Sequence, residues 1–117
     1  LIMKEEVTIE GYLGELEEHI ESIQSLLPNI EVIGFSSKSP AGIGKNMTLL
    51  IEGVSLKEAE LIEKYLIDND IAFVGYFGSH KFFKCKKQDD WTYLTGDYEE
   101  IPISHISIED ISKIYSF

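Results

Sequence analysis

Arginine is missing from the 117 residues, and all ten basic side chains are lysine. The planar fork that grips carboxylate, phosphate or guanine through paired hydrogen bonds is therefore unavailable, which excludes arginine-clamp and arginine-finger chemistry. Cysteine occurs once, at Cys85, so the chain cannot close a disulfide on itself, and a reducing, cytoplasmic compartment is expected. Long apolar runs are absent too. The longest, Leu49 to Ile51 and Ile71 to Val74, fall far short of the roughly 18 residues that a spanning helix requires, so no membrane partner is expected. Leu1 to Glu6 lack the apolar stretch behind a basic segment that marks a secretory leader, and none is expected. Proline is scarce, with Pro28, Pro40 and Pro102 each falling singly at an element boundary. With no repeat or low-complexity tract, the reading is a single domain over 1–117.

Acid is what the chain has in excess. Its 21 Asp and Glu against ten lysines leave a formal net charge of −11 and a pI near 4.6, which disfavours duplex nucleic acid as a partner. Residues 1–70 hold 14 of the acids and five of the lysines, so the negative charge is concentrated there. Apolar residues make up 44% of the chain, and a domain of this size buries roughly two thirds of its unfolded surface without needing a staple.

Val7, Ile9 and Gly11 alternate with polar neighbours and predict a first strand. From Leu13 the period changes: Leu13, Leu16, Ile20, Ile23 and Leu27 recur at threes and fours, predicting one helix that Pro28 ends. Ile30–Phe35 reads as a second strand, residues 36–46 as a polar glycine-bearing connection, and Met47–Gly53 as a third strand. Ser55 with Glu58 three positions on has the spacing of a capping box. The helix it opens packs through Ala59, Ile62 and Leu66, flanked by Leu61 and Tyr65, and stops at Asp68 to Asp70. Ile71–Tyr76 is a fourth strand. Beyond it, Lys81–Lys86 and Trp91–Thr95 are expected as a hairpin, followed by an extended Ile101–Ile106 and a short helix capped by Ser107.

The order strand, helix, strand, strand, helix, strand over residues 5–77 resembles the ferredoxin-like βαββαβ unit. The resemblance implies an α+β sandwich, with 78–117 as a C-terminal extension of hairpin and terminal helix. Topology alone assigns no activity.

Ser39 to Asn46 contains Gly42, Gly44 and Lys45, yet a phosphate-binding loop needs glycine where Ser39 stands and Ser or Thr where Asn46 stands, followed by a helix. A hairpin loop that can hold an anion weakly is the better reading. His19, His80, Cys85 and His105 lack paired ligand spacing, so no metal and no cofactor is assigned. Glu15 and His19, one helical turn apart, read as a solvated face. Cys85 has Lys84, Lys86 and Lys87 beside it, but its alternation with Phe83 reads as a small buried hydrophobe. The basic, aromatic segment Ser79 to Lys87 fits an edge strand better than a single-strand nucleic-acid platform.

Glu15, Glu17, Glu18 and Glu21 form an acidic helical face, with no lysine among residues 12–27. Such a face is either merely solvated or a docking surface that steers a basic protein partner. The leading expectation is a noncatalytic, dimeric interaction module of the inhibitor, immunity or phage counter-defence kind. The alternative is a small-molecule or nucleotide-binding regulatory domain that resembles ACT-type ferredoxin-like modules. In it Ser37, Gly42, Gly44, Lys45 and Lys84 would hold a small anionic ligand.

Overall fold

Alternation at Val7, Ile9 and Gly11 does produce the first strand. In the computed structural model, which describes residues 4–38 and 45–84, β1 (Lys4–Tyr12) buries those three residues and half-buries Thr8, Glu10 and Tyr12 on its other side. The helical segment that follows comes in three pieces: α1 (Leu13–Leu16), a 3-10 turn (Glu17–His19) and α2 (Ile20–Leu26). The expectation of one continuous helix is corrected here, although its apolar stripe survives. Leu16, Ile23 and Leu27 are fully buried, and Leu13 and Ile20 pack against them. The break has local causes. No side chain caps the start at Tyr12, and Gly14 weakens the first turn by about 1 kcal/mol relative to alanine. At the break itself, His19 Nδ1 lies 2.6 Å from the Tyr65 hydroxyl on the next helix, tying the tightened turn across the layer.

That next helix, α3 (Leu56–Asp68), opens with the expected capping box. The Glu58 N–H donates to Ser55 Oγ at 3.2 Å, and the Ser55 N–H donates to Glu58 Oε1 at 2.9 Å. Ala59, Ile62 and Leu66 are buried as the spacing predicts, but Leu61 is 45% exposed. It sits one residue, about 100°, around the helix from Ile62 and so leaves the packing face, correcting its assigned role. At the far end Asp70 takes a left-handed backbone with φ 54°. The Ile71 N–H then reaches Leu66 O and the Asp70 N–H reaches Ile67 O, both at 3.0 Å, which closes the helix.

The remaining strands are β2 (Val32–Lys38), β3 (Lys45–Ser55), β4 (Phe73–Phe77) and β5 (His80–Lys84). They form one sheet in the order β2-β3-β1-β4-β5, with every neighbouring pair antiparallel. The second and third strands pair as expected, Val32 opposite Ile51 and Phe35 opposite Thr48. β2 starts two residues later than predicted because Gln24 holds the chain before it. Its Nε2 donates to the Leu27 and Ile30 carbonyls, and its Oε1 accepts the Val32 N–H at 2.9 Å. β4 and β5 are joined by Gly78-Ser79, with φ 59° at Gly78, a two-residue loop of the kind that matches strand twist. The described part of the predicted Lys81–Lys86 strand, which falls in β5, therefore extends the sheet beyond β4, and residues 85 and 86 lie outside the described residues. Trp91–Thr95, Ile101–Ile106 and the Ser107 helix lie outside the described residues.

Both helical segments cover one face of the sheet, where Val7, Ile9, Met47, Leu49, Ile51, Phe73 and Phe77 form the core with the helix stripes. The register defines two rows on the opposite face: Phe35, Thr48, Glu10 and Val74, then Ile33, Leu50, Thr8 and Tyr76. Among the described residues, no helix is long and apolar enough to cross a membrane.

Candidate functional site

Burial of the Leu16, Ile23 and Leu27 stripe turns the rest of the first helical segment outward. Glu17, Glu18 and Glu21 are exposed as a result. Glu21 lies three and four positions from the other two, so all three project from adjoining turns. Among the described residues, none makes an ion pair with these three carboxylates. Glu15 departs from the expectation of an exposed residue. It is half-buried and already engaged in an interaction, so the outward acidic face consists of Glu17, Glu18 and Glu21.

Of the residues of the anion-site alternative, the structure describes the backbone positions of Ser37, Lys45 and Lys84. Ser37 stands opposite Asn46, and Lys45 opposite Lys38, at the open end of the β2–β3 pair. Gly42 and Gly44 lie outside the described residues. Lys84 stands opposite Phe73 on β5, three strand positions from Lys45. At about 4.8 Å per strand, the backbone separation across the sheet is about 14 Å.

The far end of the sheet holds a feature the sequence did not point to. A cleft of about 350 Å³ is lined by Lys4, Glu31, Ile33, Glu52 and Gly53, among others. Its carboxylates are far apart in sequence, Glu31 just before β2 and Glu52 on β3, and the pairing of β2 with β3 brings them to one place, so no sequence spacing marks it. On the face opposite the helices, burial raises the pKa of Tyr76 above its ordinary value of 10.0, and the nearby Glu10 carboxylate adds to the shift. Tyr76 therefore stays protonated and uncharged at neutral pH.

Among the described residues, the histidines are His19 and His80, both half-buried. His19 is spent on Tyr65, an edge-on ring contact as well as a hydrogen bond. His80 opens β5 opposite Phe77, and Cys85 lies outside the described residues. Among the described residues there is no group of three or more His, Cys, Asp or Glu side chains placed to hold a metal ion. What the arrangement offers is a surface: an outward acidic face on the helical layer and, on β2, the exposed apolar side chains Ile33 and Phe35. Comparison with protein-family models, with curated proteins and with solved structures gave no match for this chain.

Proposed function

We propose that the protein is a noncatalytic interaction module whose acidic helical face docks a basic protein partner. One observation carries the reading: Glu17, Glu18 and Glu21 point outward together, from a segment that contains no lysine between residues 12 and 27. Clustered like charge raises the rate of encounter with an oppositely charged partner and makes that rate sensitive to salt. A role as an inhibitor or immunity protein is one form of this activity. The sheet order β2-β3-β1-β4, with helices after β1 and β3 on one face, supports a ferredoxin-like unit extended by β5 as the scaffold. The single cysteine supports a cytoplasmic setting.

The test is affinity capture from the source cell with the wild-type protein and with Glu17→Lys/Glu21→Lys. The docking reading expects a basic protein retained by the wild type at low salt, released as salt rises, and lost in the double variant. Equal retention by both proteins overturns it. Association rates with the captured protein then fall, and lose much of their salt dependence, in the variant.

A further inference from the structure

We propose that the segment following β5, residues 85–117, docks on the face of the sheet opposite the helices and covers it at Val74. Among the described residues, Ala72 and Val74 are the buried apolar side chains that do not belong to the core shared by the helices and the sheet. Val74 stands opposite Glu10 on β1 and Phe83 on β5, so it projects from the face away from the helices, and both helical segments lie on the other side. Neighbouring strands shield a valine from its flanks but do not cap its methyl groups. Yet Val74 is fully buried, and it is so within a single copy of the chain.

Exposure falls along its row from the β2 edge. Phe35 is 53% exposed, Thr48 and Glu10 are half-buried, and Val74 has no exposure left. In the next row Ile33 is 38% exposed and Tyr76 is half-buried, enough to raise its pKa. The sequence agrees with this gradient. A strand with one face in water alternates apolar and polar residues, as Val7 to Glu10 do, whereas a strand covered on both faces reads as a continuous apolar run, as Ile71 to Val74 does leading into β4.

Reach identifies the occupant. Outside the described residues lie 1–3, 39–44 and 85–117. Residues 1–3 adjoin Lys4, six positions along β1 from Glu10, which is about 20 Å, and three residues extend about 10 Å. Residues 39–44 are tethered at Lys38 and Lys45. Lys45 is three positions along and two strands across from Val74, about 14 Å away, and a six-residue loop held at both ends projects about 10 Å. Phe35, which is nearer that loop in the same row, stays exposed. Residues 85–117 instead begin after Lys84, which pairs with Phe73 beside Val74. They also carry apolar material for a cover, including six isoleucines from Ile101 to Ile114. The chain thus closes the β4 side of its second sheet face and leaves Ile33 and Phe35 open. This dock is independent of the acidic face, which lies on the helical layer.

The test uses the intact wild-type chain with labelled methyl groups, read by NMR. Nuclear Overhauser contacts should run from the Val74 methyls to side chains of residues 85–117 and persist on dilution. In a mixture of labelled and unlabelled protein, none of these contacts should be intermolecular. A soluble gadolinium chelate should relax the Val74 methyls several-fold less than those of Ile33 on the same face. The proposal is overturned if the Val74 methyls relax as strongly as those of Ile33. Contacts beyond the sheet that run to residues 1–3 or 39–44 instead, or only between molecules, overturn it as well.

Discussion

Gly11 shows how much one missing side chain can decide. It occupies a position where alternation calls for an apolar residue, and an added Cβ would stand 2.7 Å from Leu16 Cδ1, 2.9 Å from Leu16 Cγ and 3.1 Å from the Ala72 carbonyl. The first helical turn lies that close to β1, and Leu16 is fully buried. Gly11→Ala should therefore destabilise the fold by about 1 to 3 kcal/mol, the usual range for overpacking. Chemical denaturation checks this, and the cycle with Leu16→Ala checks the cause. If the clash is with Leu16, the double variant loses less than the sum of the two single changes. The alternation places Gly11 on the buried face, but nothing in the sequence tells which turn will approach it. Glu15 illustrates the same limit: helical spacing sets it beside the acids, and only the packed structure shows it half-buried and engaged.

Among the elements, α3 was the most legible because its start is marked by local chemistry. The reciprocal bonds of Ser55 and Glu58 need only three residues of spacing, and no tertiary contact has to be known to expect them. Ser55→Ala should cost about 1 kcal/mol in a denaturation experiment, since the Glu58 N–H loses its acceptor. A cost near zero would mean that water replaces the cap in full. The break in the first helical segment was not legible. A 3-10 turn changes the hydrogen-bond spacing without displacing Leu16, Ile20 or Ile23 from a common face, so the apolar period looks the same either way. The β4–β5 hairpin did carry a signal, Gly78-Ser79 between Phe77 and His80. Ending the fourth strand at Tyr76 hides it, because the loop then seems too long for a two-residue turn. Ile33 and Phe35 are the converse case. Their composition reads as core, and only the strand order, which places β2 outermost, reveals them as exposed.

At the scale of the whole molecule, charge is the property most open to experiment. The ion pair that the described residues show, Lys64 with Asp68 at 2.8 Å, is an exposed neighbour pair within α3 and contributes little. A net charge of −11 on a domain with a Cα radius of gyration of 13.7 Å brings self-repulsion. Sodium chloride screens that repulsion over about 10 Å at 0.1 M, so the melting temperature should rise as salt is added from a low level. The double change Glu17→Lys/Glu21→Lys lowers the negative charge at exposed positions. It should raise stability at low salt and flatten the salt dependence, with each surface change shifting stability by no more than about 0.5 kcal/mol. Thermal melts of both proteins across a salt series read this directly. Acids that only repel one another are relieved by reversal, whereas acids that hold the fold are not. A drop in low-salt stability in the variant would therefore place Glu17 or Glu21 among the groups that support the helix. A rise would mean that any loss of a basic partner comes from the altered surface field, because the protein carrying that surface is folded at least as firmly as before.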